Sequence, residues 1–201
     1  METFRQIAYA SVAHRYRVGQ LIGSNIRLEA AVACQPPGPG AEFTAALNQI
    51  KALVDHQCLF TQIERFKDHP STAETMVDYL GQALFAVPAG HARWLSLTLW
   101  ETGEIGCTRY VNGDLELHVK AFNLTLNLRG PLNVETGLVA VREMVFHSIH
   151  AAFITFEEKS FPDQNAWGRE LFSNLKHSMP QLHSLRVDLG RQEYLLVPET
   201  V

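Results

Sequence analysis

Asp55 and His56 are adjacent in the chain. A carboxylate beside a histidine can orient and charge the imidazole, which suits the side chain to general-base chemistry near neutral pH. The same pair also reads as helix-end residues that only cap or pair locally. Cys58 follows three residues after Asp55; if the segment is helical the two share a face, and the alternative is a small buried thiol. His147 and His150 lie one helical turn apart, a spacing that can present two imidazoles together or simply leave one exposed and one half-buried. Cys34, Cys58 and Cys107 are odd in number and form no CxxC pair, which argues against a disulfide framework or a cysteine-rich zinc site.

The elements that must position these residues are legible from apolar periodicity. Strands are expected near Phe4–Ser11 and Asn25–Ala33. Pro36 to Gly40, PPGPG, can continue neither helix nor strand. A helix is predicted over Glu42–Val54, with Phe43, Leu47, Ile50 and Val54 on one face. A second opens at Ser71-Thr72-Ala73-Glu74, where Ser71 can cap and Glu74 is the reciprocal acid, and its apolar stripe is Met76, Val77, Leu80 and Leu84. Strands follow near Trp94–Glu101 and Gly106–Val111, and Asn112-Gly113 signals a two-residue hairpin.

The second half repeats that order. It has strands near Leu115–Ala121 and Leu124–Arg129, a turn at Gly130-Pro131, helices near Gly137–Phe153 and Gln164–Ser178, and strands near Leu182–Val187 and Glu193–Val197. The pattern is strand, strand, helix, helix, strand, strand, twice, with residues 1–111 and 112–201 as the two units. Leu97–Gly103 echoes Ser184–Gly190, which sets Glu101 against Asp188. The fold class is α+β.

Composition narrows the function. Apolar residues make up 46% and charged residues 19% of 201, an ordinary globular balance. The net charge of -4 comes without a Lys/Arg block, so neither nucleic acid nor an anionic membrane is an expected partner. The N-terminal stretch METFRQIAYASVAHRYR has no uninterrupted apolar core, and no segment has the apolar length to span a bilayer. The expected location is the cytoplasm.

Five segments in order resemble the 6-pyruvoyltetrahydropterin synthase and 6-carboxytetrahydropterin synthase family. Ser11-Val12-Ala13-His14-Arg15-Tyr16 is similar to the family's Ala-Ala-His-Arg-Leu strand end. Leu21-Ile22-Gly23-Ser24-Asn25-Ile26-Arg27-Leu28 is similar to its Leu-His-Gly-His-Asn-Tyr-x-Leu strand. Val54-Asp55-His56-Gln57-Cys58-Leu59 resembles its Leu-Asp-His-x-x-Leu segment. Pro70 to Glu74 resembles its Pro-Thr-Ala-Glu helix start with one residue inserted, and Trp100-Glu101-Thr102 its closing Glu-Thr. The resemblance covers residues 1–111. Gly130-Pro131-Leu132 and Thr136-Gly137-Leu138-Val139 carry it faintly into the second half.

The resemblance implies a tunnelling fold, in which strand-strand-helix-helix-strand-strand units close barrels between subunits, and hence a homo-oligomer. It implies a pterin or related bicyclic ligand, with Glu101 as anchor through two parallel hydrogen bonds to an amidine-like edge. Thr72 and Glu74 would line the pocket, and Asp55 and His56 would transfer protons. In the family three histidines hold zinc. Here His14 keeps its place while Ile22 and Ser24 stand where the other two would be, so no metal and no cofactor are expected. The loop Arg17–Gln20 has no counterpart of the family's catalytic cysteine. Two functions follow: a metal-independent lyase or aldolase acting on a dihydropterin side chain, or a catalytically inactive binding or assembly subunit.

Overall fold

The computed structural model describes residues 1–15, 21–68, 71–101, 103, 105–121, 124–129, 145–149, 151, 164–188 and 193–196. The chain divides into two compact units, Met1–Leu115 and Glu116–Val201.

The first unit is built on two 14-residue strands, β1 (Glu2–Arg15) and β2 (Leu21–Cys34), paired antiparallel along their whole length from Glu2↔Cys34 to Arg15↔Leu21. β2 then pairs with β4 (Arg93–Trp100), and β4 with β5 (Ile105–Tyr110), all antiparallel. On the other side of β1 a two-residue strand, β3 (Gln57–Cys58), pairs in parallel at Val12 and Ala13. The order is β3-β1-β2-β4-β5.

Strand alternation sorts side chains to two faces. One face carries Val12, His14, Ile26, Leu28, Ala30, Leu97 and Leu99, all buried. It is covered by α1 (Ala41–Ala52), through Phe43, Ala46, Leu47 and Ile50, and by α3 (Ala73–Phe85), through Met76, Val77, Leu80 and Leu84. Truncating one such leucine to alanine costs about 2–5 kcal/mol, so this layer dominates the unit's stability. Trp94 ties the layer together: its ring lies 5.5 Å from Phe43 and 6.4 Å from Phe85, and its indole N–H donates to the Val87 carbonyl. The opposite face is mixed and partly exposed, with Arg5, Ser11, Asn25, Arg27 and Glu29 beside the exposed Ile7 and Tyr9. Between α1 and α3 the chain forms the short α2 (Leu59–Gln62) and one 3₁₀ turn, Glu64–Phe66.

Most predicted elements match within a few residues. Three details differ. The cap of α3 is Thr72, whose hydroxyl accepts from the Thr75 N–H, rather than Ser71, so the reciprocal box to Glu74 does not form. The Asn112-Gly113 hairpin is a four-residue connection, Val111–Asp114, closed by Tyr110 N–H to the Asp114 carbonyl, with Gly113 supplying a φ of 96°. Residues 57–58 are extended, so Asp55 and Cys58 do not share a helix face.

The second unit has β6 (Leu115–Ala121), β7 (Leu124–Arg129), β8 (Leu182–Asp188) and β9 (Glu193–Leu196) in sequential antiparallel order. Leu117, Val119, Leu124, Leu126, Leu128, Leu185 and Val187 are buried, as are Val145 and Ile149 of helical residues 145–149 and Leu171 and Leu175 of α4 (Gln164–Ser178). Its polar face carries a row across three strands: His118 Nδ1 donates to Asn127 Oδ1 (2.8 Å), and Asn127 Nδ2 to Ser184 Oγ (2.7 Å). The Gly130-Pro131 turn, the segment 136–139 and most of the helix expected over Gly137–Phe153 lie outside the described residues.

Candidate functional site

Two polar constellations form at the same end of β1. The first is buried on the helix-covered face. His14 is the last inward residue of β1 that the alternation reaches, and Ser24 is its diagonal neighbour on β2, since Val12 pairs with Ser24 and His14 with Ile22. His14 Nδ1 lies 3.2 Å from the Ser71 carbonyl, just before α3. A carbonyl only accepts, so Nδ1 carries the proton and donates. His14 Nε2 lies 2.9 Å from Ser24 Oγ and 3.1 Å from Glu101 Oε1. The Glu101 and His14 side chains are both 0% exposed. An ionised carboxylate also only accepts, so the Nε2–Oε1 contact holds a proton, on one atom or the other. Burial pulls the His14 pKa below its ordinary value, against the Ser71 carbonyl, which favours the charged ring.

Glu101 reaches this position because β4 ends at Trp100 while the Glu101 N–H still bonds the Ile105 carbonyl, which holds the inward alternation of Leu97 and Leu99 for one more residue. Thr72 is buried at the cap of α3. Glu74 stands in the first turn, where a carboxylate faces the positive end of the helix, and its Oε2 is buried without a hydrogen-bond partner among the described residues.

The second constellation sits on the edge of β1. The Ser11 N–H donates to Asp55 Oδ1 (2.9 Å), and the His56 N–H donates to the Ser11 carbonyl. Asp55 and His56 thus clamp one residue of β1 from both sides and launch β3. His56 Nδ1 lies 3.2 Å from Asp55 Oδ1, and Lys51 Nζ lies 3.2 Å from Asp55 Oδ2. The Asp55 pKa is lowered, first by the Ser11 N–H, against partial desolvation, with Lys51 and His56 adding to the effect. His56 holds a φ of 57°, a left-handed conformation that a residue with a Cβ rarely adopts. Its side chain is 80% exposed.

His56 opens on a groove of about 640 Å³ lined also by Ser11, Asn25, Gln57, Cys58 and Thr61. Ser11 and Asn25 belong to the sheet face opposite His14. So the fold brings Asp55 to His56, and His14 to Glu101 beside Thr72, but in one chain the two groups stand about 10 Å apart along β1, at three residues of strand rise, and on different sides of the sheet.

In the resembled family a zinc ion would sit at His14; no metal is expected in this chain, and the donors here do not fit one. Nε2 already faces Ser24 Oγ and Glu101 Oε1, Ile22 cannot ligate, and Ser24 is a neutral hydroxyl. Among the described residues no three His, Cys, Asp or Glu side chains cluster as a metal site. His147 is exposed in helical residues 145–149, and His150 lies outside the described residues.

Sequence reasoning missed the parts played by Ser24, the Ser71 carbonyl and the Ser11 backbone. Only the first had a signal, namely that residues 14 and 24 fall on one face of a hairpin. The side chain of Asp188, which the sequence echo sets against Glu101, lies outside the described residues.

No protein-family model matches the chain, and no curated protein matches it. Among solved structures, the chain is similar to "Structure of Caenorhabditis elegans 6-pyruvoyl tetrahydropterin synthase", at 20% identity and a TM-score of 0.48, over 54% of this chain and 94% of that one.

Proposed function

We propose that this protein is a diverged 6-pyruvoyltetrahydropterin synthase-like protein of tunnelling fold that binds a pterin or a related bicyclic heterocycle at Glu101 and works without a metal. One observation carries the reading. Segments far apart in sequence, at 14, 24, 71 and 101, meet in one buried polar cluster, and these lie in segments where the sequence resemblance places the site. A buried carboxylate is the right acceptor for an amidine-like ring edge, and Thr72 and Glu74 at the start of α3 would line the same pocket.

The reaction that fits a proton-transfer site is cleavage of a carbon–carbon bond in a dihydropterin side chain. His56, oriented by Asp55, takes the proton of the side-chain hydroxyl next to the bond. That oxygen becomes a carbonyl, the bond breaks, and its electrons pass into the ring C=N, which takes up a proton. Since His56 and Glu101 face different sides of one sheet, a single ligand meets both where a second copy of the chain brings its His56 to the first copy's Glu101. β1 offers the edge for such assembly: among the described residues its outer side is paired only at Val12 and Ala13.

Two tandem units per chain are part of the proposal. With the two-residue β3 set aside, both units run four antiparallel strands in chain order, and in both the second of these shifts register against the third, at Ala31/Val32 and at Asn127/Leu128.

The test is turnover of 7,8-dihydroneopterin by the purified protein, followed by chromatography, with His56→Ala beside it. Product formation that His56→Ala removes supports the lyase. Binding without product favours the inactive binding subunit, a reading that the engagement of Glu101 by His14 supports. Turnover that survives His56→Ala removes the base.

A further inference from the structure

The contact between His14 and Glu101 has a consequence for what this pocket accepts. His14 Nδ1 is held by the Ser71 carbonyl, and Nε2 already has two oxygens within 3.1 Å, Ser24 Oγ and Glu101 Oε1. Both members of the His14–Glu101 pair are sealed from solvent. A buried carboxylate keeps such a place only with a hydrogen-bonded partner of opposite or donor character. His14 supplies it from within the chain.

We propose that Glu101 closes on His14 as a built-in ligand, in the place where a metal would otherwise sit, and that any heterocycle using Glu101 must displace His14 from it. The second half of this rests on the reading of Glu101 as the anchor; the first half stands on the geometry alone. Ligand choice follows. A cation or a lone hydrogen-bond donor gains nothing by exchanging with an imidazole whose contact with Glu101 already holds a proton. A ligand that presents two parallel donors offers Glu101 more than the His14 contact it gives up, so two-donor edges are selected over one-donor ones.

The experiment has two arms. In the first, the purified protein is dialysed against zinc and its metal content measured, while ring ¹⁵N–¹H spectra locate the His14 signals in wild type and Glu101→Gln. The expected result is no stoichiometric zinc and a His14 Nε2 signal that shifts in Glu101→Gln. One equivalent of zinc that His14→Asn abolishes, or a Nε2 signal indifferent to Glu101→Gln, overturns the closed contact.

In the second arm neopterin is titrated into wild type, His14→Asn and Glu101→Gln by calorimetry. The shorter amide side chain of His14→Asn leaves Glu101 open, so binding tightens about tenfold over wild type, while Glu101→Gln binds none. Equal or weaker binding by folded His14→Asn overturns the displacement. If that variant does not fold, the wild-type spectrum decides: a His14 Nε2 signal unmoved by bound neopterin overturns it equally. No binding by any protein sinks the heterocycle reading, with the first arm still deciding the contact.

Discussion

The Glu101 carboxylate lies 3.1 Å from His14 Nε2, and neither side chain is reached by solvent. Removing one partner of such a pair strands the other, which costs about 3–5 kcal/mol in buried sites. Glu101→Ala should therefore lower the urea midpoint far more than a surface substitution would. Glu101→Gln, which can still accept at Oε1, should lose less. Equal and small losses for both variants would show that the contact is not made in solution.

His56 is strained yet exposed, and the two facts separate stability from chemistry. A non-glycine residue at a φ of 57° carries about 1 kcal/mol of backbone strain that glycine does not. His56→Gly should raise stability by about that amount while removing turnover. A fall in stability would mean that the imidazole's contact with Asp55 outweighs the strain.

If two copies share a site, two inactive variants should complement each other. His56→Ala and Glu101→Gln, each inactive alone, should regain measurable turnover when unfolded together, mixed and refolded. Some mixed assemblies then carry one site with both native residues. Light scattering should show more than one chain per particle. A monodisperse monomer, or mixtures as inactive as their parts, would contradict the shared site.

Gly81 is needed for space. A Cβ there would run into the Arg109 side chain near Cδ, and Arg109 cannot swing aside because its Nη1 donates to Asp78 Oδ1 at 2.6 Å. Alanine gains up to about 1 kcal/mol in helix propensity, while overpacking costs about 1–3 kcal/mol. Gly81→Ala should be net destabilising, and Arg109→Ala should relieve the loss in the double variant. Additive losses would argue against the clash.

Among the described residues Asp55, His118 and His14 have lowered pKa values that shape the acid side of the stability curve, His14 acting in the same direction as His118. Asp55 has a lowered pKa in the folded chain, so above its unfolded value near 4 its stabilisation is fully present, and it is lost as pH falls through the folded value. Asp55→Asn should flatten that limb while still accepting from Ser11. His118 is also lowered, first by burial, then by Arg186 and Lys120, against the Asn127 hydrogen bond and Glu116. Between its folded value and about 6.5 the unfolded chain binds more protons, so stability declines as pH falls through that window. Urea midpoints at steps from pH 7 to 3 would show both limbs. A wild-type curve flat below pH 6.5 would refute the assignment.

Much of the architecture was legible because alternation and helical periodicity are local signals. β6, β7 and α4 have the ends the sequence predicts, and α1 starts one residue early. β3 was not legible, since two residues carry no period and their pairing is fixed by the Asp55–Ser11 clamp 44 positions away. The pair Asp55–His56 was visible as neighbours in sequence, and so was the start of α3, though its cap is Thr72 rather than Ser71. The meeting of His14 with Glu101 was not, because nothing local tells a strand-end carboxylate whether to face solvent or fold inward. The alternation of Leu97, Leu99 and Glu101 was the available sign.

Whether Glu101 anchors a bicyclic heterocycle is decided by calorimetric titration of 7,8-dihydroneopterin into wild type and Glu101→Gln. Wild type should bind saturably, one ligand per Glu101, and the single oxygen-to-amide change should abolish binding. Wild-type protein that releases no heat of binding, or Glu101→Gln that binds as tightly as wild type, would contradict the anchor.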